Sequence, residues 1–314
     1  RGGQAWRGAR WRELHGPGVA SWSVANMGGA VALNHALTKR SNSARSGLLL
    51  YNALGGKLLD KKRYTGAAKT YLAFADGNPR SPLAPQFHSR AIEALRAGNF
   101  TEQVVAAKER YVTTYDPKSS YWSGHDATPE VLTELRKHLD DLGRYHHNLA
   151  RADKAKGHDE FIAAARFYKR SLELFPKDAK AAELSVLLAD ALQDGGQLED
   201  AAKAYESSVA AYPGAAKSDD AAYAAVLAYQ KLTDEAPENR KEDALKQATA
   251  AGLRFADGFP NHPQALAVLT RATEDLYRLK QTDQAVAGAA PVTKPPRPTR
   301  TPKHTARTGV AQPP

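Results

Sequence analysis

The chain has 314 residues, a formal net charge of +10, no cysteine and a hydrophobic share of 42%. Without cysteine it has no disulfide, no thiolate metal site and no cysteine nucleophile, while the hydrophobic share is enough for a folded core. The charge says little about a binding face: residues 1–45 hold seven cations against Glu13 alone, residues 291–314 hold five against no acid, and the stretch between is close to neutral. No nucleic-acid partner is therefore expected for the folded part; such binding would have to act through the flanks.

Residues 1–45 are rich in Arg, Gly, Ser and Ala, with Trp6, Trp11 and Trp22 at no helical or strand period, and are read as a disordered or artefactual basic segment. The chain opens on Arg1 and its single methionine is Met27. It is read as a fragment or processed product, which leaves room for a preceding signal peptide or lipid-anchor cysteine. The longest apolar run, around Gly47–Leu50, is far shorter than the roughly 20 residues a membrane helix requires.

Helical periodicity begins near Leu48, and one pattern recurs from there. A small-residue helix opens on an aromatic or leucine and closes on an aromatic and a proline: Tyr64, Ala67, Ala68, Tyr71, Phe74, Pro79, then Phe100, Val104, Ala107, Tyr111, Tyr115, Pro117. Phe161, Ala164, Ala165, Tyr168, Phe175, Pro176 and Leu198, Ala201, Ala202, Tyr205, Tyr212, Pro213 repeat it, and Ala244, Ala248, Phe255, Phe259, Pro260 form a looser copy. Each such B helix follows an A helix, and the predicted pairs are about 48–60 with 64–76, 85–97 with 101–115, 129–154 with 159–175, 179–194 with 198–211, and 219–232 with 240–255. Thr128-Pro129-Glu130 supplies an N-cap and an N1 proline to the long third A helix, and Gly157 is placed as its break. A sixth A helix, 263–279, is followed by an unfinished B helix at Asp283–Val286, and Pro291 and Pro295-Pro296 open a Pro/Thr/Arg-rich tail read as disordered.

Small alanines let A and B backbones approach closely, large rings fill the space between successive hairpins, and proline after each B helix restarts the chain. The expected fold is all-α, a helical repeat array over residues 46–290 of about five and a half hairpins.

The runs Tyr64–Pro79, Phe161–Pro176 and Leu198–Pro213 resemble the tetratricopeptide repeat superfamily. Segments such as Leu50-Tyr51-Asn52-Ala53-Leu54-Gly55-Gly56 are similar to a group of proteobacterial envelope proteins carrying these repeats, in the style of the outer-membrane assembly lipoprotein BamD and the periplasmic partner of the Tol-Pal system. The resemblance implies a right-handed superhelical solenoid of antiparallel helix pairs. It also implies a scaffold in the periplasm or on the outer membrane, associated with it through a partner or a lipid anchor. It carries over no binding site.

Candidate binding residues come from two helices. Arg136, Asp140, Arg144, His147 and Arg151 recur at helical spacing opposite the leucine face of the third A helix, and read either as a basic groove for an acidic peptide or lipid head group or as a solvated face. Tyr223, Leu227 and Gln230 read as a neighbouring groove surface or, for the first two, as core. His125, His138, His146, His147 and His158 crowd one stretch, but His146 and His147 are adjacent and point about 100° apart, so no metal site is expected. G-x-S-x-G, a Walker lysine loop and H-E-x-x-H are absent, so no catalytic residue and no cofactor are assigned. The sequence thus points to a non-enzymatic scaffold holding a protein or peptide partner in a concave groove. A nucleic-acid binder acting through its basic tails, or an accessory repeat region of a larger enzyme, is the alternative.

Overall fold

A computed structural model describes residues 43–123, 126–152 and 157–286. The flanks expected at 1–45 and 291–314 lie outside the described residues except for 43–45, which open the first helix, and His125 and the expected helix end near Lys154 lie outside them as well. Among the described residues there is no strand. The helices are α1 (Ser43–Asp60), α2 (Tyr64–Gly77), α3 (Ala84–Ala97), α4 (Thr101–Thr114), α5 (Pro129–Ala152), α6 (Gly157–Leu174), α7 (Ala181–Asp194), α8 (Leu198–Ala211), α9 (Ser218–Glu235), α10 (Glu238–Gly258) and α11 (Ala265–Arg278). Residues 282–286 are helical again. Gly157 is not a break: it is the first residue of α6 and is buried. Among the described residues no helix is long and apolar enough to cross a membrane.

The chain forms two compact units, one ending at Gly196 and one beginning at Gln197. The division falls in the Gly195-Gly196 turn of the expected fourth hairpin, so α7 belongs to the first unit and α8 to the second.

Two local rules repeat along the chain. The first closes four of the A–B turns, while α9 joins α10 through an extended Ala236-Pro237 instead. Lys62, Asn99, Gly196 and Lys280 all have positive φ, and each stands two residues before a B helix starts. The next residue then reaches back five positions: the Arg63, Phe100 and Gln281 N–H groups donate to the carbonyls of Leu58, Leu95 and Leu276 at 2.8, 3.1 and 2.9 Å. This left-handed closure satisfies carbonyls that the end of helix A leaves open.

The second rule governs the exits. In Asn78-Pro79, Asp116-Pro117, Phe175-Pro176, Tyr212-Pro213 and Phe259-Pro260 the residue before proline accepts an i+3 turn bond, from Ser81, Ser119, Asp178, Ala215 and His262. Proline thus occupies the second position of a turn, where its fixed φ fits. In four of these exits another turn of the same span follows, donated by Ala84, Ala181, Ser218 and Ala265, and the next A helix begins there. The exit after Pro117 breaks the rule: it carries a short 3₁₀ helix, Ser120–Trp122, before α5 opens at Pro129.

Rings and alanines divide the packing as expected. In the first unit Phe74 stacks on Phe87 with centroids 4.0 Å apart, joining α2 to α3, and Tyr111 meets His138 edge-on at 4.8 Å, joining α4 to α5. Ala67, Ala164 and Ala201 have no exposed surface. Glycine serves the same purpose on α5, since a Cβ on Gly143 would stand 2.5 Å from the Tyr168 ring. The second unit packs mostly small side chains, with Ala202, Ala228, Ala248, Ala251, Ala265, Val226 and Val268 around Tyr229 and Phe255.

Candidate functional site

The charged stripe of α5 is not an open basic groove. Arg136 pairs with Asp178 in the exit after α6, and Arg144 donates to Asp140 at 2.9 Å and to Glu183 of α7 at 3.0 Å. Lys180 also reaches Asp140, at 3.4 Å. These charges are matched between α5 and the start of α7, so they tie two A helices together.

His147 departs furthest from expectation. It is 3% exposed and packs edge-on to Phe161 at 5.3 Å, so it lies in the core and not on a groove. Neither ring nitrogen meets a hydrogen-bond partner. Burial, with Arg151 and Arg144 nearby, depresses its pKa against the opposing pull of Asp190 and Asp194. Arg151 is exposed.

Tyr223 and Gln230 belong to the second unit. Tyr223 is half-buried, packs against the core and faces the Phe255 and His262 rings at 5.6 and 5.4 Å. Gln230 accepts from Arg271 of α11 at 3.3 Å. Leu227, between them on α9, is 44% exposed and is the open apolar member of that trio. The histidines form no metal cluster among the described residues. His146 instead lies between carboxylates on two other helices, 2.6 Å from Glu160 and 3.3 Å from Glu109, with its ring stacked on Phe167.

Two open clefts occur in the first unit, both beside the irregular exit after Pro117. One, of about 910 Å³, is lined by α4, α6, the exit and Leu139 of α5, with Ala106, Val112, Leu139 and Phe167 as its apolar lining. The other, of about 1010 Å³, is lined by residues of α2, α3, α4 and the same exit, including Arg80, His88, Tyr115 and Tyr121. Arg110, Thr113, Thr114 and Ser119 line both. The clefts are thus formed mainly by B helices and exits, not by the A helices expected to line a groove.

The exit segment is firmly held. Trp122 Nε1 donates to the Tyr115 carbonyl at 3.1 Å, Tyr121 Oη to the Ser81 carbonyl at 2.6 Å, and Ser119 Oγ to the Thr114 carbonyl at 2.7 Å. Tyr121 packs edge-on against both Tyr115 and Trp122, at 4.9 and 4.6 Å. Arg170 of α6 clamps it from below, donating from Nε and Nη2 to the two oxygens of Asp116 at 2.6 and 2.5 Å. Burial raises the Asp116 pKa, but the Arg170 fork and the Lys118 amide outweigh it and hold the carboxyl below its ordinary value.

The cleft charges are unequally matched. Arg110 pairs with Asp76, Arg170 pairs with Asp116 and Glu173, and Glu109 faces His146. Arg80, Lys118, Arg166 and Lys169 are exposed and form no ion pair among the described residues. Arg166 lies over the Phe167 ring, 5.0 Å from its centroid.

Beneath the second cleft sits a histidine core. His88 is buried with Nε2 3.0 Å from the Ala107 carbonyl oxygen, and meets Tyr111 and Tyr115 edge-on. Burial pulls its pKa down to about 4, with Arg110 contributing, and burial pulls that of His138 down to about 3, with Lys108 contributing.

The sequence reading missed this region. Its available signal was the interval from Pro117 to Pro129, far longer than the five residues that separate Pro79, Pro176, Pro213 and Pro260 from the helices after them.

No family model matches the chain, and no curated protein matches it. Among solved structures it is similar to the apo form of the quorum sensor NprR from B. thuringiensis, at 14% identity over 91% of each chain and a TM-score of 0.25. The all-helical description rests on the hairpins themselves.

Proposed function

We propose that this protein is a non-enzymatic interaction scaffold built from tetratricopeptide-like hairpins, working in the bacterial cell envelope and holding a protein or peptide partner. The observation that supports it is the break in an otherwise regular exit rule. Four exits take the same two-turn path, while the one after Pro117 is longer, is pinned by Tyr121 and Trp122, and borders both clefts. Connecting segments that depart from their scaffold are where binding residues concentrate. A cleft of about 910 Å³ with an apolar lining and polar rim has the size and make-up of a ligand site. The envelope assignment rests on the sequence resemblance, and the absence of an assigned catalytic role rests on the motifs.

Photo-crosslinking in cells tests the scaffold reading. A crosslinking amino acid at exposed Thr113 or Ser120, on the cleft rims, is expected to give a discrete adduct, whereas one at exposed Lys231 of α9 gives none. Adducts at neither position, or the same diffuse ladder at both, contradict it. Fractionation of the same cells tests the location, which is wrong if the protein stays with cytoplasmic markers.

A further inference from the structure

We infer that the cleft bordered by α4, α6 and the Pro117 exit takes an acidic, extended segment of the partner protein; this rests on the scaffold reading and names the chemistry of what is held. Every acidic side chain lining this cleft already faces a cationic or imidazole group of the protein: Asp116 and Glu173 face Arg170, and Glu109 faces His146. Lys118, Arg166 and Lys169 line it with no ion pair among the described residues, although Lys118 also acts on Asp116 through space, and Arg80 is likewise without an ion pair in the adjoining cleft. The repeat region as a whole is near neutral, so this excess is a local one.

These cations are presented, not merely tethered. Lys118 follows Pro117, and its amide is bonded to Asp116 Oδ1 at 2.8 Å. That carboxylate is itself gripped by Arg170, so the base of the Lys118 side chain is fixed at the cleft edge. Arg166 lies over Phe167, which lines the same cleft, and the planar guanidinium remains able to take a carboxylate with two parallel bonds. The apolar lining of Ala106, Val112, Leu139 and Phe167 favours a chain that alternates acidic with apolar side chains. A polyanion without apolar groups would leave that lining unused.

Fluorescence anisotropy on the full chain tests this. The probes are fluorescein-labelled peptides of about twelve residues, long enough to lie extended along a groove, alternating glutamate with leucine, glutamine with leucine, or lysine with leucine, beside a labelled DNA duplex. The glutamate peptide is expected to bind, and the glutamine and lysine peptides at least about tenfold more weakly. The triple variant Lys118→Gln, Arg166→Gln, Lys169→Gln should lose at least about tenfold in affinity for the glutamate peptide. Its unfolding midpoint should fall only slightly, because all three side chains are exposed and little beyond the Arg166 contact with Phe167 is lost. Lys118→Arg with Lys169→Arg should retain binding, as should Lys231→Gln with Lys241→Gln in the second unit.

A glutamate peptide that does not bind, or binds equally well to the triple variant, overturns the inference. Equal binding of the glutamine peptide at the cleft overturns the acidic assignment and leaves the scaffold reading standing. DNA bound as tightly as the peptide and weakened by the same triple variant assigns the cleft to polyanions and overturns the inference. If no peptide binds and Thr113 and Ser120 give no crosslinked partner, both readings fall together.

Discussion

The two units run the same helical pattern with different side chains. The first packs rings, with Tyr51, Tyr71, Phe74, Phe87, Tyr111, Tyr115 and Trp122 in one cluster that holds His88 and His138, and it buries His147 beside Phe161 and Tyr168 in a smaller cluster. The second packs alanine and valine around Tyr229 and Phe255, and its buried charged residue is Asp275 on α11. The turn rules that set the path of the chain are common to both units, so path and core composition vary independently. Rings and buried imidazoles surround the irregular exit and its clefts, and Phe74 and Phe87 also flank the regular exit after Pro79, while the regular exits after Pro213 and Pro260 accompany the small-residue core. A repeat array keeps its connections constant where it is structural and spends its variation where a surface has to be shaped.

Removing one ring from the first unit should show the difference most strongly. Phe87 has no exposed surface and touches both Tyr71 and Phe74. Phe87→Ala is expected to cost about 3–5 kcal/mol. Val268→Ala in the second unit should cost only on the order of 1–2 kcal/mol, at about 0.8 kcal/mol per methylene-sized group. Denaturant melts of the two variants decide this, and equal costs would remove the contrast between the cores.

Acid should separate the units next. His88 and His138 are held near pKa 4 and 3 in the folded chain, below the ordinary 6.5, so the unfolded chain takes up protons first as pH falls. Their contribution is complete above pH 6.5 and is lost as pH drops toward 4, at about 1.4 kcal/mol per unit of pKa difference for each group. Asp275 works in the opposite sense: burial raises its pKa against the pull of Arg278 and Arg271, so its contribution is complete below the unfolded value near 3.8 and is lost as pH rises through the folded one. Hydrogen exchange between pH 7 and 4.5 should therefore show α3–α5 opening faster on acidification than α9–α11. The reverse order would show that the histidines do not govern the first unit.

Much of this organisation was legible in the residues. The proline after each B helix marks a boundary, because a missing N–H is a local requirement that a sequence displays directly, whereas the left-handed turns at Lys62 and Lys280 carry no such mark. His147 was misplaced because the α5 stripe was drawn through its charges. The buried residues Val131, Leu135, His138, Leu142, His147 and Ala150 show that two histidines belong to the apolar face. Arg136 and Arg144 were seen as open cations because their partners, Asp178 and Glu183, lie about 40 residues along the chain. The clefts escaped notice because they depend on how α4 and α6 pack, which periodicity along one helix does not reveal. The expected sixth A helix has its counterpart in α11, where Leu266 and Tyr277 are 60% and 71% exposed.

Smaller effects sharpen the comparison. Gly143→Ala pushes a methyl into the Tyr168 ring, which is 1% exposed, and should cost about 1–3 kcal/mol through overpacking. Gly252→Ala meets Ala272 and Val268 at 3.3 Å and should cost less than about 1 kcal/mol, as the second core gives way more easily. Thermal melts of the pair check the ranking. Lys217→Gly comes last: Lys217 caps α9 at φ +64, where an L side chain is strained, so glycine is expected to raise stability by up to about 1 kcal/mol.

The claim at the centre of the account is that the irregular exit and its neighbours form the binding surface. Hydrogen exchange of the full chain with and without the glutamate–leucine peptide tests it most directly. The account predicts added protection over residues 109–119 and 166–173, with none over the regular exits 213–218 and 260–265. Protection spread evenly over all the exits, or confined to the second unit, would contradict it.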